Sequence, residues 1–186
     1  MKEWFEGKTV AIVGNAESLF HKNYGEEIDS QDVVIRMNKA AMLYTNFGCE
    51  KTHGKRTDVW AVWNFNEYKQ NMNNLDKNIK VMHMSGRIRN NVKNIRIDFM
   101  YPINMYENLK KYAGSRKNPT TGLMVLDYIS SCNPKNVYVY GFDWKDTPTF
   151  TDMNRREEKS SGHNYDTEKI YCEKTFFNNS KFVLRN

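Results

Sequence analysis

Short runs of β-branched and aromatic residues recur along the 186-residue chain, and several of them lead into a glycine or an asparagine. Five such runs stand out: Thr9–Val13 (TVAIV), Asp32–Asn38 (DVVIRMN), Asp58–Trp63 (DVWAVW), Ile79–Met84 (IKVMHM) and Asn136–Phe142 (NVYVYGF). Continuous apolar runs of this length predict strands that are buried on both faces. Three helix-like segments accompany the later runs, at residues 104–113, at 120–132 and from about 164 to 177, and residues 181–185 (KFVLR) predict a last small strand. The pattern predicts an α/β fold, a single doubly wound Rossmann-like domain whose mostly parallel sheet is flanked by helices.

The length and composition favour one packed domain that covers residues 1–186. A hydrophobic content of 39% and an aromatic content of 13% are typical of a globular core rather than of a disordered chain. No apolar run approaches the roughly 20 residues that a spanning helix needs, and the first residues do not resemble a secretion signal. We therefore expect a cytoplasmic protein.

The cysteines and the net charge indicate which stabilising groups and which partners to expect. Three widely spaced cysteines with no CxxC pair (Cys49, Cys132 and Cys172) argue against a disulfide framework and against structural zinc. The formal charge of +6 favours anionic partners and is compatible with peripheral contact with an anionic membrane surface.

The segment VGNAESL follows the first predicted strand and places Gly14 and Asn15 at its carboxyl end. A turn at this position can present backbone N–H groups to an anion. The segment lacks the further glycines of a dinucleotide-binding GxGxxG loop and the Gly-Lys-Ser/Thr of a Walker loop, so a dinucleotide is disfavoured and a mononucleotide stays possible. The alternative is a plain strand-to-helix turn.

Two further segments carry small polar side chains where a ligand crevice is expected. Asn38 ends the second predicted strand, where its carboxamide can donate and accept hydrogen bonds. Thr120, Thr121 and Gly122 begin a predicted helix, whose free N–H groups and positive end suit a phosphate. The alternative for the threonines is an ordinary helix N-cap.

The segment YGFDWKD closes the strand that ends near Tyr140, and it contains Gly141, Phe142, Asp143 and Trp144. Its Asp-x-x-Asp spacing has no supporting histidine or further carboxylate, so no metal is expected. The two aromatic side chains could flank a base or a sugar, or could be part of the core. The polar stretch 145–162 that follows predicts a mobile active-site lid, with an ordinary surface loop as the alternative.

His163 lies between Ser160-Ser161-Gly162 and the predicted helix near residue 164, so its ring can project from the mouth of that helix. An imidazole there is suited to accept a proton from an attacking hydroxyl. The alternative is an exposed or structurally satisfied histidine. Glu168 lies five residues further on, well around an ideal helix, so no direct contact between the two is expected.

Four segments resemble, in order, the sialyl motifs of the sialyltransferase family. VAIVGNAESLF…IDSQDVVIRMNKA is similar to the large motif, NPTTGLMVLDYISSCNPKNVYVYGFDW to the small motif, and GHNYDTE to the third and very small motifs run together. The resemblance implies a GT-A-like variant of the fold and an inverting, metal-independent transfer of sialic acid from CMP-sialic acid to a glycan or glycolipid hydroxyl.

Site roles follow from the same resemblance. Asn15 and Asn38 would hold the CMP portion, and residues 120–122 would meet its phosphate and ribose side. His163 would be the general base, and Tyr165 would reach the phosphate. Gly14 and residues 141–144 complete the expected substrate site, and no cofactor is expected.

Some alternatives stay open at this point. CMP-Kdo shares the nucleotide and an anomeric carboxylate with CMP-sialic acid, so the donor can be either. Val10 stands where animal members carry a disulfide-forming cysteine, which together with the short chain is typical of a compact microbial or viral enzyme. The competing class is a non-catalytic nucleotide- or nucleic-acid-binding module; the absence of an RNA-binding signature argues against a nucleic-acid partner.

Overall fold

Seven strands form one sheet in the computed structural model of the chain, which describes residues 2–43, 48–63, 75–85, 96–113, 117–149 and 162–185. In chain order they are β1 (Thr9–Val13), β2 (Val33–Met37), β3 (Val59–Val62), β4 (Lys80–His83), β5 (Phe99–Met100), β6 (Asn136–Tyr140) and β7 (Phe182–Arg185). Six of these strands match predicted runs. Strand β5 was not predicted, because two residues are too short to show a hydrophobic period.

The three predicted helices are confirmed, with ends within a few residues of the predicted ones. The described helices are α1 (Gly25–Asp29), α2 (Ala40–Leu43), α3 (Glu50–His53), α4 (Ile103–Ala113), α5 (Thr121–Ser130) and α6 (Tyr165–Thr175), with 3₁₀ turns at Lys2–Trp4 and Glu17–His21. The short helices α1 to α3 were not predicted, since four or five residues give no helical period. Within the described part of the chain, every helix is too short or too polar to span a membrane.

The sheet has the order β5-β4-β3-β2-β1-β6-β7, and each neighbouring pair is parallel. The chain therefore builds outward from β1 through β5, and then returns to place β6 and β7 on the other side of β1. This reversal confirms the predicted doubly wound arrangement. It also identifies the gap between the carboxyl ends of β1 and β6 as the place where such sheets bind ligands.

Apolar side chains cover the sheet on both faces, as the continuous runs predicted. On one face Val10, Ile12 and Ile35 pack with the buried side of α5, including Leu123 and Leu126. On the other face a smaller cluster forms around Ala11, Val13, Leu19, Ile28, Val34 and Tyr140. Strand β1 is therefore packed on both faces, and this packing fixes the position of the turn that follows it. The three cysteines are buried free thiols.

The predicted lid begins in a described segment and continues beyond it. Residues 145–149 return to the turn after β1, where Thr149 forms an isolated antiparallel bridge with Ala16 and the Glu17 amide donates to the Pro148 carbonyl at 3.0 Å. Residues 150–161 lie outside the described residues, so the motion of the lid stays a prediction.

Candidate active site

A cleft of about 220 Å³ opens at the carboxyl ends of β1, β2 and β6, beside the start of α5 and α6. All twelve residues expected at the substrate site from the sequence line it: Gly14, Asn15, Asn38, Thr120, Thr121, Gly122, Gly141, Phe142, Asp143, Trp144, His163 and Tyr165. The segments that supply them are far apart in the sequence, and the parallel sheet brings them together at one edge. Their individual roles remain predictions.

Two sets of residues face each other across this cleft. We call the turns after β1 and β6 (residues 14–16 and 141–145) the strand wall. We call the start of α5 (residues 120–123) together with His163, Tyr165 and Glu168 the helix wall. The two walls are stabilised in different ways.

The strand wall depends on glycine, because two backbone segments pass within contact distance. The Gly14 amide donates to the Tyr140 carbonyl at 2.7 Å, and a Cβ on Gly14 would lie 2.2 Å from the Gly141 carbonyl oxygen. Gly141 itself has a φ of 63°, in the left-handed region that glycine adopts without strain. The sequence attributed Gly14 to anion binding, whereas the structure shows that contact between β1 and β6 already requires a glycine there.

Asn15 presents an incompletely bonded amide at the strand wall. Its Oδ1 is buried, and no donor reaches it from the described part of the chain. Buried polar atoms in folded proteins almost always have a partner. The oxygen is therefore available to a donor group of a bound ligand.

Asn38, in contrast, is held in place by its neighbours. Its backbone has a φ of 49°, which asparagine tolerates better than most residues. The side-chain Nδ2 donates to Thr121 Oγ1 at 3.3 Å, and Oδ1 accepts from the Trp63 amide at 3.3 Å. One N–H hydrogen and one lone pair of the carboxamide remain for a ligand.

The Asp143 carboxylate organises the turn after β6. It accepts from the Lys145 amide at 3.1 Å, from the Thr147 amide at 3.1 Å, from Ser18 Oγ at 3.2 Å, and from Thr147 Oγ1. The other acidic residue of the Asp-x-x-Asp pair, Asp146, lies 3.8 Å from Lys169 Nζ. Asp143 therefore lines the cleft mainly as a structural residue, and the two carboxylates have separate partners.

The start of α5 on the helix wall has an acidic partner that the sequence did not predict. Thr120 is the N-cap of α5, and its Oγ1 accepts from the Leu123 amide at 3.1 Å. Its hydroxyl also donates to Glu168 Oε2 at 2.6 Å, and its amide donates to Glu168 Oε1 at 2.8 Å. The N-cap interpretation of Thr120 is thus confirmed, and its hydroxyl is already engaged. The Thr121 and Gly122 amides have no acceptor within the described ranges, and they are the donors of this helix end that a ligand can still use.

Glu168 is a buried carboxyl with 2% exposure. Burial raises its pKa to about 7, and the hydrogen bonds from Thr120 lower it only in part. As expected, its hydrogen bonds are with Thr120 rather than with His163. The sequence signal that could have found it is an acidic residue one helical turn before Cys172, on the same face of α6, and these two are the buried residues of that helix.

His163 is oriented by the backbone carbonyl of Asn118, which lies 2.7 Å from the ring Nδ1. A carbonyl oxygen can only accept, so Nδ1 carries the hydrogen of this bond and Nε2 of the neutral ring has the free lone pair. Asn118 is itself fixed, since its amide donates to the Gly162 carbonyl at 3.0 Å and its Oδ1 accepts from Tyr106 Oη at 2.9 Å. The arrangement leaves Nε2 as a proton acceptor at the cleft.

The other histidines lie away from the cleft. His53 and His83 are fully buried, and burial is the main cause that lowers the pKa of each to about 4. His21 is exposed at the end of a 3₁₀ turn. Among the four histidines, His163 alone lines the cleft.

The aromatic residues of the cleft pack against the core, as one of the two predicted alternatives has it, and their contact with a base or a sugar stays a prediction. Phe142 and Trp144 are half-buried and pack against the main core, yet both line the cleft. The Phe142 ring occupies the space beside Gly122, where an added Cβ would lie 2.7 Å from Cε1. Gly122 therefore allows the approach of a side chain of the protein itself. The Tyr165 ring lies 5.8 Å from that of His163.

Seven lining residues were not predicted from the sequence: Ala16, Met37, Leu123, Lys145, Thr149, Glu168 and Cys172. Most are apolar or lie beside a predicted residue, and no motif marks them. Burial raises the pKa of the Cys172 thiol to about 12, so it is protonated and unreactive at neutral pH. Across the described ranges, no group of three or more histidine, cysteine or acidic residues is arranged to bind a metal ion.

Comparison with known proteins gives one family. The model of glycosyltransferase family 29 (sialyltransferase) matches residues 6–87. A CMP-N-acetylneuraminate-β-galactosamide-α-2,3-sialyltransferase 1 of Gallus gallus is 28% identical over 165 residues, which are 76% of this chain and 46% of that protein. The Mus musculus protein of the same name is 43% identical over 65 residues, or 34% of this chain and 18% of that protein. The match thus covers less than half of the length of each of these two relatives.

Solved structures agree at the level of the fold. A mammalian sialyltransferase superposes with a TM-score of 0.67 at 21% identity, over 96% of this chain and 69% of that one. The sialyltransferase CstII from Campylobacter jejuni, solved with the substrate analogue cytidine-5′-monophosphate, superposes with a TM-score of 0.56 at 16% identity, over 96% and 80% of the two chains. The chain is therefore similar to the sialyltransferases of glycosyltransferase family 29 in the sequence of residues 6–87, and it shares the fold of solved sialyltransferases.

Proposed function

We propose that the protein is an inverting glycosyltransferase that moves sialic acid, or a related CMP-activated sugar such as Kdo, from a CMP-sugar to a hydroxyl group of a glycan or glycolipid. The proposal extends the likeness to sialyltransferases to an activity, a donor and a set of roles. The observation that carries it is the bond between His163 Nδ1 and the Asn118 carbonyl, which leaves Nε2 as a base at the edge of the cleft.

The cleft offers groups that suit a cytidine monophosphate. Asn15 Oδ1 can accept from a ribose hydroxyl or from the cytosine amino group, which would complete its hydrogen bonding. Asn38, held by Thr121 and Trp63, presents its remaining donor and acceptor nearby. The Thr121 and Gly122 amides, at the positive end of α5, favour the phosphate.

The transfer proceeds by direct displacement at the anomeric carbon. The acceptor oxygen forms a bond to that carbon while the bond to the phosphate oxygen breaks, and CMP leaves with the electron pair. The proton of the acceptor hydroxyl passes to His163 Nε2. Fixed donors at the phosphate stabilise the charge that develops on the leaving group.

We propose that this reaction needs no metal ion. Asp143, the carboxylate nearest to a metal-binding pattern, already accepts hydrogen bonds from Ser18, Lys145 and Thr147. Positive charge at the phosphate would then come from the protein.

The named relatives suggest which acceptor to test first. They are called β-galactosamide α-2,3-sialyltransferases, and one matching mammalian structure was solved with Gal-β-1-3GalNAc-ortho-nitrophenol. A β-galactoside is therefore the first acceptor to combine with this chain.

The test is release of CMP from CMP-sialic acid and from CMP-Kdo, with and without a β-galactoside and in the presence and absence of EDTA. We expect CMP release from one of the donors, faster with a suitable acceptor and unchanged by EDTA. Calorimetric titration with CMP and with a short oligonucleotide covers the competing class. Tight, strongly salt-dependent oligonucleotide binding without CMP release would overturn the proposal in favour of a binding module.

A further inference from the structure

The turn after β6 contains two adjacent residues in an uncommon backbone conformation. Trp144 and Lys145 have φ angles of 52° and 68°, and the other non-glycine residues with positive φ in the described part of the chain are Asn38 and Asn133. Asparagine tolerates this region, whereas tryptophan and lysine have no special preference for it. Strained backbone of this kind concentrates at functional sites.

Surrounding contacts impose this conformation. The Asp143 carboxylate accepts from the Lys145 and Thr147 amides, both at 3.1 Å, so it closes the turn on itself. The turn is also tied to the segment after β1, where the Ser18 amide donates to Thr147 Oγ1 at 3.2 Å. The position of Lys145 therefore depends on Asp143 and on the segment after β1.

The result is a lysine at the cleft. Lys145 is half-buried, and it is the only lysine or arginine among the described residues that line the cleft. Its Nζ donates to Thr149 Oγ1 at 3.3 Å, and no carboxylate of the described ranges forms an ion pair with it. By contrast, Lys169 just outside the cleft lies 3.8 Å from Asp146 Oδ2.

We propose that the Lys145 ammonium binds the phosphate of the CMP group and stabilises its charge as it leaves. This inference rests on the proposed function and adds a residue to it. An ammonium with a neutral partner can bind a phosphate without breaking an ion pair, and charge-assisted bonds to phosphate are among the stronger ones. Together with the Thr121 and Gly122 amides, it supplies the positive charge that a metal ion would otherwise provide.

The test compares CMP with cytidine, which lacks the phosphate, in binding to the wild type, Lys145→Met and Lys169→Met. Calorimetry at neutral pH and constant ionic strength measures the affinity of each of the three proteins for each of the two ligands. We expect Lys145→Met to weaken CMP binding by about 10- to 100-fold and to leave cytidine binding unchanged. Lys169→Met removes the same charge beside the same turn, and it should change CMP affinity by less than about twofold, since exposed charges contribute little.

Cytidine binding also reports whether the cleft is folded in each variant. Equal CMP affinity in Lys145→Met and the wild type, or an equal loss of CMP and cytidine affinity, would overturn the assignment of Lys145 and leave the proposed function standing. A wild-type protein that binds neither ligand would overturn the proposed function and this assignment together. Retention of part of the CMP affinity in Lys145→Arg would support it further.

Discussion

The two walls of the cleft are stabilised by different kinds of contact. The strand wall is built from backbone segments in contact, with Gly14 against Gly141 and a left-handed turn closed by Asp143. The helix wall is built from side-chain hydrogen bonds, in which Glu168 binds Thr120 and Asn118 orients His163. We infer that the strand wall is sensitive to added volume, while the helix wall is sensitive to protonation and to the loss of single polar atoms.

The largest effect is expected from His163→Ala, on the helix wall. Removal of a general base should lower turnover by about 10²- to 10⁴-fold, while CMP affinity and stability stay near the wild-type values. Steady-state CMP release and calorimetry measure the two quantities. His21→Ala, at an exposed histidine, is the matched control and should retain full activity. A His163→Ala variant with at least half of the wild-type turnover would exclude the base role.

On the strand wall, Gly14→Ala should be the most damaging small change. The new methyl group would lie 2.2 Å from the Gly141 carbonyl oxygen, and neither backbone can move without breaking the pairing of β1 with β6. We expect the free energy of unfolding in urea to fall by about 3 kcal/mol, the upper end of common overpacking costs. Gly122→Ala should cost less, because the atom it meets belongs to the Phe142 ring and alanine favours the helix. Equal stability of Gly14→Ala and the wild type would refute the proposed contrast between the walls.

Glu168→Gln tests whether the helix wall responds to protonation. The pKa of Glu168 is raised in the folded state, from 4.5 to about 7, so the carboxyl costs the fold nothing below pH 4.5 and progressively more as pH rises through 7. The free energy of unfolding of Glu168→Gln relative to wild type should therefore rise by roughly 2–3 kcal/mol between pH 5 and pH 8. Urea unfolding at the two pH values measures it, and a pH-independent difference would show that the carboxyl titrates normally.

The smallest effect is expected from Tyr106→Phe. The substitution removes the hydroxyl that donates to Asn118 Oδ1. This hydrogen bond holds Asn118, whose carbonyl orients His163. Loss of one neutral hydrogen bond, about 1 kcal/mol, should lower turnover several-fold with little change in donor KM. Tyr112→Phe, at a largely exposed tyrosine of the same helix, provides the control. If both variants have the same turnover, the contact with Asn118 does not position the base.

The sequence predicted the strands, the main helices and the position of the cleft because each depends on a local signal. Continuous apolar runs such as Thr9–Val13 fix a buried strand, and parallel strands bring their carboxyl ends to one edge. That edge is where the structure places Asn15, Asn38 and His163. The sequence-based predictions agree with the structure for features that depend on contacts within one strand or helix, or on the parallel arrangement of the strands.

The contacts that the sequence did not predict join side chains that are distant along the chain. Glu168 meets Thr120 only because α6 packs beside the start of α5, and Lys145 reaches the cleft only because Asp143 closes a left-handed turn. Gly14 and Gly122 were assigned to the ligand site, and the structure shows in addition that Gly141 and Phe142 lie against them. A glycine in the sequence can indicate that another group comes close to the backbone, but it does not reveal whether that group belongs to a ligand or to the protein.

The insertion of β6 beside β1 has a consequence for synthesis of the protein. Residues 9–13 can pair with β2 soon after both leave the ribosome, but the other edge of β1 stays unpaired until residues 136–140 have been made. An open apolar edge of this kind invites pairing with other chains. We therefore expect nascent or truncated chains that end before residue 136 to aggregate or to need a chaperone.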